Sequence, residues 1–125
     1  MMGRDKAHIS VADALGTLAS HVGAHSTPLF VHGSLLVKVY APVETDPQAP
    51  HARDEIYVVM RGRGIFFDGE DRRPVGPGDF LFVAAGRAHR FEAFSADFAT
   101  WVMYFGPDAG ESELPRLPYV SDGPA

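Results

Sequence analysis

Residues 50–64, PHARDEIYVVMRGRG, place a histidine, His51, four positions before a carboxylate, Glu55. The β-branched and aromatic run Ile56-Tyr57-Val58-Val59-Met60 follows and closes on Gly62-Arg63-Gly64. Ile, Tyr and Val favour a pleated strand over a helix. Side chains on a strand alternate between faces, so residues 51, 53, 55, 57 and 59 share one side. His51 and Glu55 then point the same way, beside Tyr57 and Val59. That is half of a metal site on the inside of a sheet, and His89 is the candidate for the other half. An inward carboxylate is costly unless it is paired or ligated. The rival to a metal is an arginine partner, Arg53 or Arg61, on the same strand parity.

Outward from this strand, Pro42 to Pro50 reads as a loop whose three prolines set its path, and Arg61 to Gly64 as a tight hairpin connection into Ile65-Phe66-Phe67. Short strands are expected at Leu29-Phe30-Val31, Ser34 to Ala41, Pro74-Val75, Phe80 to Ala85, His89 to Phe94 and Phe98 to Phe105. In Ser34 to Ala41, Leu36, Lys38 and Tyr40 share a face, and its mixed character suggests an outer or oligomer-facing surface. One helix is expected from Ser10 to Ser20. Ser10 caps it, Asp13 completes a capping box, and Val11, Ala14, Leu15 and Leu18 form the apolar face. About eight short strands, with turn signals roughly every 8–12 residues, read as an all-β sandwich or barrel.

Composition bounds what such a site can serve. The 125 residues are one domain's worth of chain. Hydrophobic residues are 46% and charged residues 22%, as in an ordinary globular domain. A net charge of -5 gives no general attraction to nucleic acid or an anionic membrane, so neither is expected as a partner. Cysteine is absent, which excludes thiolate ligands, disulfides and a cysteine nucleophile. The opening MMGRDKAHISVADALG lacks the apolar core of a signal peptide, and no apolar run approaches the ~20 residues needed to span a bilayer. A cytoplasmic setting is expected.

Two segments resemble the signature motifs of the cupin superfamily, whose members are double-sheet jelly rolls. The first family motif runs Gly, five residues, His-x-His, three or four residues, Glu, six residues, Gly; here His51, Glu55 and Gly62 match its second half. The second runs Gly, five residues, Pro-x-Gly, two residues, His, three residues, Asn; here Gly78, Gly86 and His89 match in spacing, with Ala84 and Ala93 in place of the proline and asparagine. The resemblance covers residues 28 to 106.

It implies a double-stranded β-helix with a divalent metal ion, Fe, Zn, Ni or Mn, held by His51, Glu55 and His89. The family's first histidine falls on Ala49 and its opening glycine on Val43. Gln48 or Asp46 would have to approach the vacant position, with Gln48 the nearer. Strand parity and family position together suggest a pocket of Tyr57, Phe80, Phe82, Phe91, Trp101 and Met103. Tyr40 joins it as a hydroxyl donor, as Tyr104 also can, although a β-sheet tyrosine more often packs.

His8, His21, His25 and His32 lie outside both motifs and read as surface residues. The organisation expected is an N-terminal segment over 1–27, the barrel over 28–106 and an extended or mobile tail over 107–125. The function implied is a metal-dependent enzyme, dioxygenase-like or isomerase-like, on a small organic substrate. The alternative is a non-enzymatic small-molecule binding or sensing module. A homodimer is expected in either case.

Overall fold

The computed structural model describes residues 7–112. One helix among them, α1 (Val11–Ala19), precedes eight strands: β1 (Ser26–His32), β2 (Leu35–Tyr40), β3 (Asp54–Arg61), β4 (Gly64–Phe67), β5 (Arg72–Val75), β6 (Phe80–Val83), β7 (Arg90–Glu92) and β8 (Ala99–Phe105). The helix begins at its capping box: Asp13 N–H donates to Ser10 Oγ at 2.9 Å, and Ser10 N–H to the Asp13 carboxylate at 3.2 Å. Two otherwise orphaned amides are satisfied reciprocally. Ala14 and Leu18 are buried and Leu15 packs partly against them. Val11, expected on the same face, is 38% exposed, so the apolar stripe begins a turn later.

The strands form two antiparallel sheets, β1-β2-β8-β3-β6 and β5-β4-β7. Tyr57, Val59, Val83 and Val102 of the first pack with Phe66, Val75 and Phe91 of the second in one buried cluster. The sheets therefore face each other, as in a double-sheet jelly roll. Phe91 anchors the interior, 5.0 Å from Tyr57 in an edge-on contact and 4.8 Å from Phe98. Burying each such ring contributes about 1.5–3 kcal/mol. The connection at Gly62 is not the hairpin expected, because β3 and β4 lie in different sheets. Gly62 has a φ of 79°, and a Cβ there would meet Phe98 Cα at 2.6 Å, so glycine alone fits the crossing.

Directly opposed residues of an antiparallel ladder share a face. Glu55 opposes Tyr104 and Val83, and Tyr57 opposes Val102 and Leu81, which defines the inner face of the large sheet. Four residues expected in the pocket fall on the other face. Phe80 and Phe82 oppose Val58 and Ile56 and are 63% and 53% exposed. Met103 opposes Ile56 and Val37, and Trp101 packs against the helix-side cluster of Ala14, Leu18, Leu29, Val39 and Met60. The physical reason is that β8 is apolar on both faces, one meeting the interior and the other facing α1. The reverse error concerns β2: its mixed face turns inward, with Lys38 opposing Val102.

Beyond β8, Ala109 N–H donates to Ala52 O at 2.7 Å and Glu111 N–H to Asp54 Oδ2 at 2.9 Å. The first residues of the expected tail are thus fastened to the start of β3. Residues 113–125 lie outside the described residues.

Candidate metal centre

The strand that opens with Asp54 and Glu55 sends them to opposite sides. Both are buried, at 5% and 0% exposure. Glu55 points inward, where His89 Nε2 lies 2.9 Å from its Oε1 and His51 Nε2 lies 3.8 Å from the same atom. One ligand atom from each of His51, Glu55 and His89 lies within 4.8 Å of the others. The structure brings together three side chains separated by 38 positions of sequence, a separation read directly from their numbers. Neither rival partner reaches Glu55. Arg53 bonds to Ser34 O, and Arg61 Nε donates to Asp97 O at 2.8 Å.

His89 is oriented by its other nitrogen. Nδ1 lies 2.9 Å from the carbonyl oxygen of Arg87. A carbonyl can only accept, so Nδ1 carries the proton and Nε2 faces the cluster. Burial disfavours charge on this ring, but Glu55 and the Arg87 carbonyl outweigh it and raise its pKa above the usual histidine value. Nε2 is also 3.0 Å from the Tyr57 hydroxyl, which donates to Gln48 Oε1 at 2.8 Å. Gln48 Oε1 lies 3.2 Å from His51 Nε2 as well. The amide of Gln48 is held from behind, its Nε2 donating to Asp46 Oδ2 at 2.7 Å. Asp46 accepts further from the Phe91 amide at 2.8 Å and from the Tyr40 hydroxyl, so this one carboxylate ties the 42–50 loop to both sheets.

Lone pairs outnumber protons in this cluster. Both carboxylate oxygens of Glu55 are fully buried without an aligned hydrogen bond; the 2.9 Å approach of His89 is close but misdirected for one. Gln48 Oε1 and His89 Nε2 add two more acceptors, and the Tyr57 hydroxyl has a single proton for both. A buried carboxylate left in this state is strongly unfavourable without a cation. Two imidazoles and a carboxylate suit Fe(II), and equally Zn²⁺, as ligands. The residues present therefore fit a divalent metal ion.

A cavity of about 160 Å³ opens beside the donors, lined by Ser26, Lys38, Tyr40, Gln48, His51, Val102 and Tyr104. Both expected hydroxyl donors, Tyr40 and Tyr104, line it, while Tyr57 and Phe91 lie behind it in the core. Lys38 reaches this cavity from the face expected outside, Ser26 adds a wall that no motif signals, and Asp46 serves as an acceptor behind Gln48 and not as a ligand. Burial, aided by the charges of Asp46 at Tyr40 and of Glu55 at Tyr57 and Tyr104, pushes all three phenols far above their usual range. They remain protonated and act as donors. A larger hollow of about 380 Å³ lies over Phe80, Phe82 and Arg73, and its lining includes none of the converging donors.

Comparison with known proteins agrees with this architecture. Over 66 residues the chain is 41% identical to an acireductone dioxygenase of Rhodopseudomonas palustris, covering 50% of this chain and 40% of that protein. Over 65 residues it is 38% identical to an uncharacterized protein of Streptomyces coelicolor, covering 52% and 62% respectively. The chain thus spans less than two thirds of the length of either relative. The crystal structure of the DMSP lyase DddQ from Ruegeria pomeroyi superposes with a TM-score of 0.57 at 28% identity, covering 65% of this chain and 46% of that one. The profile of the cupin domain family Cupin_2 matches residues 36–105, more than half of the chain, and with the facing sheets it places this protein in that family.

Proposed function

We propose that this cupin is a metal-dependent enzyme acting on a small organic substrate, of dioxygenase or isomerase type. The observation that carries the reading is the buried Glu55 carboxylate, without an aligned hydrogen bond and gathered with two imidazole nitrogens. His51, Glu55 and His89 would hold the ion, with the Gln48 amide oxygen as the fourth donor in place of the histidine replaced by Ala49. When bound, the ion supplies Lewis acidity to polarise a substrate oxygen. The chain supplies the rest. Tyr57, Phe66 and Phe91 wall the site from behind and keep water out. Tyr104 offers a protonated hydroxyl at the cavity, 3.5 Å from His51 Nε2. The match to acireductone dioxygenase supports the oxygenase branch.

A second reading, a small-molecule binding module without turnover, draws on Ala49 and on the Tyr57–Gln48 bond, which occupies one donor. We further infer a cytoplasmic homodimer paired through the apolar outer face that exposes Phe80 and Phe82; light scattering at micromolar concentration should give twice the chain mass. Elemental analysis of untagged protein tests the main reading. One metal per chain is expected, lost in His51→Ala, Glu55→Gln and His89→Ala. Metal-free wild type, or retention of metal by all three variants, overturns it.

A further inference from the structure

Lys38 sits on the inner face of β2, opposite the buried Val102, and lines the same cavity as His51, Gln48 and Tyr104. Its side chain makes no ion pair or hydrogen bond among the described residues. The residue is only partly buried, so its side chain meets the cavity and not the packed core. The acids nearby do not serve it. Asp46 is taken by Tyr40, Gln48 and the Phe91 amide, and Glu55 faces the imidazoles. The long stem can lie along Val102 while the charged head faces the cavity.

We propose that Lys38 is the residue that selects the substrate, by binding the carboxylate of a small organic acid whose other end reaches the His51–Glu55–His89 cluster. This rests on the metal-site reading above and adds the substrate's chemical class. Size and charge both point to a monoanionic acid. A cavity of roughly 150 Å³ takes a benzene-sized guest, so the about 160 Å³ here suits a compact molecule. One ammonium balances one negative charge, and the Glu55 carboxylate close by opposes a dianion such as a phosphate ester. The Tyr104 hydroxyl, kept protonated by burial, is a second donor for the same carboxylate.

Calorimetric titration of propionate, propionamide and inorganic phosphate into the full chain, zinc-loaded and metal-free, tests this. Zinc per chain is measured alongside in wild type, Lys38→Met and Lys38→Arg. Propionate should bind wild type, propionamide should not, and Lys38→Met should weaken propionate by about tenfold, as loss of a charged hydrogen bond implies. Lys38→Arg should restore most of the affinity, and zinc content should be equal in all three proteins. Equal propionate affinity in wild type and Lys38→Met, no propionate binding to wild type, or tighter binding of phosphate than propionate would overturn the assignment. Wild type that takes no zinc sinks the metal reading instead, and the metal-free titration then decides on Lys38 by the same criteria.

Discussion

Asp54 and Glu55 are neighbours on one strand, both buried and both carboxylates, and the structure treats them in opposite ways. On one side of β3, Asp54 Oδ1 accepts the Ala85 amide at 2.9 Å and Oδ2 the Glu111 amide at 2.9 Å. On the other, neither oxygen of Glu55 has an aligned hydrogen bond, and its near neighbour is the His89 imidazole, 2.9 Å from Oε1. Burial alone does not mark a functional acid; what marks it is company that consists of imidazoles instead of backbone amides. Asp54 fastens the β6 exit and the chain beyond β8 to the start of β3, whereas Glu55 is held by the fold in a position that folding alone does not favour.

The contrast makes predictions of decreasing size. Asp54→Ala leaves two amides bare and should cost about 3 kcal/mol, read by urea denaturation. In chelator-treated protein, Glu55→Gln should cost less than Asp54→Ala, about 1 kcal/mol, because the amide keeps the side chain's shape and the carboxylate it replaces has no aligned hydrogen bond to lose. A harmless Asp54→Ala beside a damaging Glu55→Gln would break the comparison. Next, adding metal at a hundredfold excess over its dissociation constant should stabilise wild type by about 2.7 kcal/mol and Glu55→Gln far less. A thermal shift with zinc or iron in both proteins checks this.

A satisfied side chain in shallower surroundings should matter less. Ser10→Ala opens the capping box of α1 and should cost about 1 kcal/mol by thermal denaturation. The smallest effect belongs to Glu92, a partly exposed carboxylate that accepts from Arg72 Nε at 2.8 Å and Arg90 Nε at 2.7 Å. Arg72 first, then Arg90, hold its pKa below the usual 4.5. A depressed folded pKa gives stability that is present above about 4.5 and lost as pH falls towards the folded value. Glu92→Gln should flatten the acid limb of the stability profile by lowering the melting temperature slightly at pH 7 while leaving it unchanged at low pH.

Much of the centre was legible in the sequence because ligand spacing is a local quantity. His51 and Glu55 sit on one strand entry, and His89 follows a glycine turn at a fixed distance. The capping box at Ser10 and Asp13 was legible for the same reason. The facing of the other strands was not. FATWVMYF in β8 is apolar at every other position on both parities, so alternation cannot say whether Trp101 or Val102 is inside. Only its register against Glu55 and Tyr57 decides, and that is a long-range fact. In β6 the larger residues, Phe80 and Phe82, face out and the smaller Leu81 and Val83 face in, so side-chain size misleads. The face of Leu36, Lys38 and Tyr40 reads as outer because it mixes apolar and charged residues; its inward turn is visible only once β2 is paired with β8.

The bond from His89 Nδ1 to the Arg87 carbonyl gives this protein a built-in reporter. A ring proton buried at 4% exposure and held by a carbonyl is shielded from exchange with bulk water. It should give its own resonance in the proton spectrum, on the nitrogen that an incoming ion leaves untouched. Because it persists through loading and shifts when the opposite nitrogen is engaged, occupancy can be followed in solution without a coloured metal or a substrate.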